Sequence, residues 1–280
     1  MECKEGQVAY ITGGASGIGF GMATAFAKVG MKIALADIEE GAVTKAAQAL
    51  QADGADARPF VVDVTDRKGL AESRDAAISA FGGINLVCNN AGVNRAGHIS
   101  EISYDDWDWV MGVNLDGVIN GAMTFVPELT RQGSDGHMIN TASVGGLVGM
   151  PSLAIYNTAK FGVVGLSEAL RADLFDAGVG ISVLCPGLVR TNLNSSERNR
   201  PGNEDKDIQA PENDTLLQGM DPMVLGEYVL AEVRAGAFFI CPHPEFRGVI
   251  GDRNNALEAA FKGDAPQETI DMMRAMVNPF

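Results

Sequence analysis

The first thirty-seven residues constrain the fold most. Gln7 to Thr12 reads QVAYIT, a short β-type run, and it breaks directly into the glycine-rich turn GGASGIG. The next stretch, FGMATAFAKVG, has the apolar spacing of an amphipathic helix and ends at Gly30, a residue suited to a helix C-terminus. A second β-type run, KIALA from Lys32 to Ala36, follows at once and closes on Asp37. Strand, glycine turn, helix, strand is a βαβ unit. Two parallel strands need a crossover, and here the helix supplies it.

The alternation continues. Glu39 to Ala52 is helical in period, and Ala57 to Val62 is a strand closing on Asp63-Val64. Asp66 to Phe81 is a helix with Asp66 as N-cap, and Asn85 to Cys88 is a strand running into NNAG. Tyr104 to about Arg131 reads as one long helix with a glycine-rich interior, GVNLDGVINGA. His137–Thr141 and Gly180–Cys185 are strands on either side of a helix over Leu153–Ala177. A helix over Asp221–Ala235 and a short strand over Phe238–Cys241 end the pattern. The strands are mostly apolar runs, as expected where helices cover both faces of a parallel sheet. The sequence therefore predicts an α/β fold in a single domain over 1–280. Residues 192–221 are polar, hold Pro201 and Pro211 and lack a period, which predicts a mobile loop closing over a substrate. Residues 242–280 read as a C-terminal extension with helices at Gly251–Lys262 and Pro266–Met276.

Composition narrows the class of partner. A net charge of −15 argues against nucleic acid and anionic membrane surfaces. No apolar run approaches the ~20 residues of a membrane span. Cys3, Cys88, Cys185 and Cys241 are far apart and form no CxxC, so neither a disulfide framework nor a zinc site is expected. His98, His137 and His243 show no ligand spacing, and no metal is expected. The start, MECKEGQVAY, has no signal-peptide apolar stretch, so a cytoplasmic protein is expected.

Two constellations carry chemistry. In the first, Gly13, Gly17 and Gly19 let the backbone approach a pyrophosphate, and the helix opening at Ser16-Gly17-Ile18 offers free N–H groups to it. Asp37, at the end of the second strand, can accept both ribose hydroxyls of an adenosine and would repel a 2′-phosphate. Position 38 is Ile and position 16 is Ser, so no basic residue offsets it, and NAD is expected over NADP. Asp63 and Val64 can reach the adenine edge. Asn89, Ala91 and Gly92 of NNAG let the chain pass under a ribose. In the second constellation, Tyr156 and Lys160 stand one helical turn apart, phenol beside ammonium. Of the four tyrosines, Tyr156 alone has Lys at i+4. Ser143 opens the uncharged stretch before them. Val144, Leu147, Met150, Leu153, Leu188 and Leu193 suggest an apolar pocket for a ketone or secondary alcohol, with Asn94 and Arg95 placed to meet a polar end.

Together these segments resemble the short-chain dehydrogenase/reductase family: TGGASGIG, Asp37, Asp63-Val64, NNAG, Asn114 in GVNLDG, Ser143, Tyr156-x-x-x-Lys160, and Pro186-Gly187 with Thr191. The resemblance implies a Rossmann-type doubly wound sheet of seven parallel strands in order 3-2-1-4-5-6-7, usually in a homodimer or homotetramer. It implies that Tyr156 acts as the acid–base, lowered in pKa by Lys160, and that Ser143 holds the substrate oxygen. Asn114 would position a proton-relay water, and Val189 and Thr191 would meet the nicotinamide amide. YDDWDWVMGVNLDG, the 192–221 loop and PHPEFR resemble a bacterial subgroup acting on bulky secondary alcohols, which includes Cα-dehydrogenases of lignin-type aryl ethers. The competing readings are an NADP(H)-dependent ketone reductase, a dehydratase or epimerase, and a non-catalytic nucleotide-binding regulator. The intact Ser143, Tyr156 and Lys160 favour an NAD-dependent dehydrogenase with a small-molecule alcohol or ketone substrate.

Overall fold

The computed structural model describes residues 1–203, 206, 208–211 and 214–277. Positions 204, 205, 207, 212 and 213 of the anticipated loop and 278–280 of the anticipated extension lie outside them. The strands are β1 (Val8–Thr12), β2 (Lys32–Asp37), β3 (Ala57–Val61), β4 (Leu86–Asn89), β5 (His137–Thr141), β6 (Gly180–Leu184) and β7 (Phe239–Ile240). They form one parallel sheet in the order β3-β2-β1-β4-β5-β6-β7, as expected.

Strand alternation divides the core into two layers. On one face, Ile11 and Leu35 pack with Met22 and Phe26 of α1 (Gly17–Lys28), Val43 of α2 (Glu40–Ala52) and Val229 of α7 (Pro222–Ala235). On the other, Tyr10 and Ala34 pack with Leu70 of α3 (Arg67–Phe81), Phe125 of α5 (Gly117–Gln132) and Val163 of α6 (Ala154–Asp173). Tyr10 is fully buried, and its hydroxyl is satisfied by Ser73 Oγ at 2.6 Å. The expectation of buried strands fails at β3, where three of five residues are exposed. It is a sheet edge, and Pro59, which has no N–H to donate, is tolerated there.

α1 and α7 cross at backbone contact. A Cβ on Gly21 would lie 2.1 Å from Pro222 O, and one on Gly226 would lie 2.1 Å from Gly21 O. This crossing fixes the helix whose N-terminus opens the glycine turn.

The expected long helix over 104–131 is two helices, α4 (Tyr104–Met111) and α5, joined by a π-helical turn over Gly112–Asp116. Ser103 and Asp106 form a reciprocal capping box at the start of α4. Asp66 caps α3, accepting from Lys68 N at 3.0 Å. α6 ends at Asp173, short of the expected Ala177. The extension forms α8 (Arg247–Glu258), four residues earlier than expected at each end, and α9 (Gln267–Val277). The 192–221 segment holds short 3₁₀ turns at Leu193–Asn199 and Thr215–Gln218, and its ends are pinned by a parallel bridge between Val189 and Met220.

Candidate functional site

A cleft of about 920 Å³ opens at the C-terminal ends of the strands, where the sheet order reverses between β1 and β4. Open parallel sheets bind ligands at that switch point. Gly13, Ser16, Gly17 and Ile18 line one wall. Gly13 and Gly17 have φ of 61° and 51°, backbone that favours glycine. Gly19 lies below the lining; a Cβ there would sit 2.1 Å from Gly13 O. Ser16 caps α1 without a side-chain hydrogen bond, so the first N–H groups of the helix remain for an anion. The turn thus has the close backbone and the donors that a pyrophosphate requires.

Asp37 lines the adjoining wall and stays oriented by two backbone donors, Ala15 N to Oδ2 and Glu39 N to Oδ1, both at 3.1 Å. Burial raises its carboxyl pKa, and these donors work against that rise. Asp63 and Val64 continue the wall, and Asp63 Oδ1 accepts from Thr65 N and Oγ1 at 2.8 Å each.

The NNAG segment divides by strand alternation. Asn89 points away from the cleft, its Nδ2 donating to Asn140 Oδ1 at 2.8 Å under α5. It does not line the cleft; Asn90 does. Asn90 Nδ2 donates to Thr12 O at 3.1 Å and its Oδ1 accepts from Thr141 Oγ1 at 3.2 Å, so it ties β1, β4 and β5 together at the cleft floor. Ala91 and Gly92 follow along the floor.

Ser143, Tyr156 and Lys160 line the far end of the same cleft. Ser143 Oγ accepts from Gly145 N at 3.1 Å and donates to Pro186 O at 3.3 Å. Lys160 is buried, donates to Thr141 O at 2.8 Å, and holds its Nζ 5.6 Å from the centre of the Tyr156 ring. Burial lowers the Lys160 pKa to about 8. Burial raises the Tyr156 phenol, a hydrogen bond with Ser143 pulls it back down, and the nearby Cys185 adds to the rise. The expected lowering of Tyr156 by Lys160 is therefore absent from the protein alone. Asn114, fully buried in the π turn, exchanges two 2.8 Å hydrogen bonds with the Val93 backbone. A Cβ on Gly92 would meet Asn114 Oδ1 at 3.4 Å and Lys160 Nζ at 3.9 Å, so both groups lie beneath that glycine.

Thr191 and Val189 also line the cleft, and Thr191 Cγ2 would lie 2.9 Å from a Cβ on Gly17. Of the anticipated apolar residues, Leu193 lines the cleft, whereas Val144, Leu147, Met150 and Leu153 do not. Val144 is buried, and Leu188 faces a separate pocket with His243. The apolar lining comes from Val93, Trp109, Val113 and Leu216 besides. Asn94 and Arg95 do not line it: Asn94 N donates to Ser196 Oγ at 2.9 Å, and Arg95 pairs with Asp106 and Glu197 at 3.5 Å.

The sequence profile of the short chain dehydrogenases matches residues 7–202. The chain belongs to the short-chain dehydrogenase/reductase family. It is similar to a Cα-dehydrogenase of Sphingobium sp. strain SYK-6, 39% identical over 88% of this chain and 84% of that one. A "CLA biosynthesis dehydrogenase/reductase" of Lactiplantibacillus plantarum is 32% identical over 90% of this chain and 93% of that one. Among solved structures, a family member from Burkholderia phymatum in complex with NAD matches with TM-score 0.85 at 35% identity, covering 95% of this chain and 99% of that one. The apo form of LigD from Sphingobium sp. strain SYK-6 matches with TM-score 0.80 at 35% identity over 93% and 99%. Members of this dehydrogenase family are oxidoreductases that use nicotinamide cofactors.

Several of the cleft residues escape sequence reading. Asn90 was within reach, since strand alternation puts it opposite Asn89. Arg198, Asn199 and Arg200 lie in a segment whose path no periodicity fixes, and Trp109 lies on the anticipated helix, where packing alone decides which face meets the cleft. His243 is another. Its Nδ1 accepts from Gly187 N at 2.9 Å, so Nε2 carries the proton and donates to Leu188 O at 3.0 Å. The extension after β7 thereby clamps the Pro186–Val189 turn at the cleft's edge. Among the described residues, no cluster of three or more His, Cys, Asp or Glu could hold a metal ion, and no helix is long and apolar enough to cross a membrane.

Proposed function

We propose that the chain is an NAD(H)-dependent dehydrogenase interconverting a secondary alcohol and a ketone, with a bulky, largely apolar substrate of aryl or alicyclic type. One observation carries the reading: Ser143, Tyr156 and Lys160 line the same cleft as the glycine turn and Asp37. The likeness to a Cα-dehydrogenase and to an NAD-complexed structure supports it. Gly13, Ser16, Gly17, Ile18 and Gly19 would hold the phosphates, Asp37 the adenosine ribose, Asp63 and Val64 the adenine. Asn90, Ala91 and Gly92 would pass under the sugar, with Val189 and Thr191 at the carboxamide.

A bound nicotinamide supplies the hydride acceptor or donor. The chain handles the proton. In oxidation, Tyr156 takes the hydroxyl proton on its phenolic oxygen while Ser143 donates a hydrogen bond to the same substrate oxygen and fixes its distance. Lys160 does not lower the phenol in the protein alone; with oxidised nicotinamide bound, the positive charge of the ring would add to that of Lys160 in favouring the phenolate. Asn114, immobilised by Val93, helps the proton leave from Lys160 toward solvent through water. The loop that carries Leu193, Arg198 and Leu216 closes over the substrate and excludes water. The assembly is a homodimer or homotetramer, which light scattering of the purified protein measures.

The test is appearance of NADH absorbance on adding a panel of aryl and alicyclic secondary alcohols. Turnover supported better by NADP than by NAD would overturn the cofactor assignment. Tyr156→Phe should lower kcat by about 10²–10⁴-fold, the usual worth of an acid–base group, with NADH binding unchanged. Near-full turnover in that variant would remove the mechanism.

A further inference from the structure

The cleft is lined by three basic side chains among the described residues: Lys160, Arg198 and Arg200. Lys160 sits at the Ser143–Tyr156 end, and Arg200 is bound to Asp106 at 2.5 Å. Arg198 is the cation at the β2 end. It arrives from the 3₁₀ turn after Leu193, far away in sequence, and its Nη2 meets Glu39 Oε1 at 2.6 Å. Asn199 Nδ2 donates to the same oxygen at 3.0 Å. The other guanidinium arm is held by Ser195 O at 3.0 Å and Ser195 Oγ at 3.1 Å. Glu39 in turn donates its backbone N–H to Asp37. Asp37, Ile38, Glu39 and Arg198 thus share one wall of the cleft.

We propose that Glu39 is a cofactor-discriminating residue, acting by occupying Arg198. This rests on the reading that the β2 end receives the adenosine ribose. An arginine there is the side chain best suited to a 2′-phosphate, which it can bind through two parallel hydrogen bonds. In this chain that capacity is spent on Glu39. The pair is partly buried, with side chains 27% and 33% exposed, so water screens it less than a surface pair. Glu39 therefore acts twice against a 2′-phosphate. It adds a second negative charge beside Asp37, and it withholds the one local positive charge. The discrimination is divided between the end of β2 and the loop that crosses the cleft.

The experiment is a titration of NADH and NADPH, read by fluorescence, against the full chain and the variants Glu39→Gln, Arg198→Ala and the two combined. The quantity compared is the ratio of the NADPH to the NADH dissociation constant. Glu39→Gln should lower the ratio at least tenfold. The combined variant should lose most of that gain, and Arg198→Ala alone should not lower the ratio. Glu39→Ser is a second form of the test, since Glu39 is the N-cap of α2 and Ser is a favoured N-cap. An unchanged ratio in both Glu39 variants, or a gain that survives loss of Arg198 undiminished, overturns the proposal. The wild-type ratio separately tests the NAD preference. A wild type preferring NADPH would sink that preference while the variant ratios still decide the role of Glu39.

Discussion

Burial moves Tyr156 and Lys160 in opposite directions. The phenol is harder to ionise and the ammonium easier to discharge, because the same low-polarity surroundings disfavour both charges. Lys160, at about 8, still carries its proton at neutral pH. Ser143 opposes the rise at Tyr156 through its hydrogen bond. Ser143→Ala should therefore do more than slow the reaction: the pH profile of alcohol oxidation should move toward alkaline pH. A profile that falls in height without moving would mean that Ser143 only orients the substrate. Lys160 also links stability to pH. Its folded pKa lies below the value of about 10.4 for an unfolded lysine. Between these values the unfolded chain binds more protons, so stability rises with pH across that window, and the full cost of burying the charge is felt below about 8. The advantage in Tm of Lys160→Met over wild type should then be larger at pH 7.5 than at pH 10, measured without cofactor. The spacing of Tyr156 and Lys160 was legible in the sequence. The sign of their shifts was not, since it depends on which other elements cover them.

Two packing features place the site at the level of elements. The α1–α7 crossing needs glycine on both helices, because each Cβ would strike the partner's backbone, which has nowhere to rotate. Gly226→Ala should lower stability by at least the roughly 1–3 kcal/mol typical of overpacking, seen as a fall in the urea midpoint. NADH affinity should fall with it, since α1 carries the pyrophosphate turn. An unchanged midpoint would mean that the helices separate at little cost. The π turn at Gly112–Asp116 is the second feature. Apolar spacing alone reads through it as one helix, because one extra residue per turn leaves the glycine-rich run without a clear period. Its product is the buried placement of Asn114 against Val93. The placement of Asn89 away from the cleft has a similar origin: NNAG marks the strand end, but which asparagine faces the cleft is set by the pleat of β4.

Across the whole molecule, the 193–203 segment is held at both sides of the cleft. Arg198 reaches Glu39 beyond β2, and Arg200 reaches Asp106 on α4 while stacking 5.4 Å over Trp109. Burial would raise the Asp106 carboxyl, but hydrogen bonds from Ser103 and the Arg200 guanidinium outweigh it and hold the group at about 2. A depressed carboxyl contributes stability that is complete above its unfolded value of about 3.9 and is lost as pH falls toward 2. Asp106→Asn should release Arg200 at neutral pH. The expected signs are faster proteolysis within 193–203 and a several-fold higher KM for the alcohol, with the NADH dissociation constant unchanged. Equal proteolysis in the two proteins would remove the tether. The arginines were invisible beforehand because a polar stretch without period gives no direction to its side chains.

By itself, the sequence determined the parallel αβ architecture, its strand order through family likeness, and the residue types at the two ends of the cleft. Local chemistry suffices there: a glycine turn, a strand-end carboxylate and an i, i+4 pair each specify their own geometry within one or two elements. Only the tertiary structure decided which residues from distant segments close the cleft, namely Arg198 and Arg200, and that His243 clamps the Pro186–Val189 turn at its edge. Those contacts depend on the paths of irregular chain between elements, and such paths follow from what the packed sheet leaves open, which no local period records.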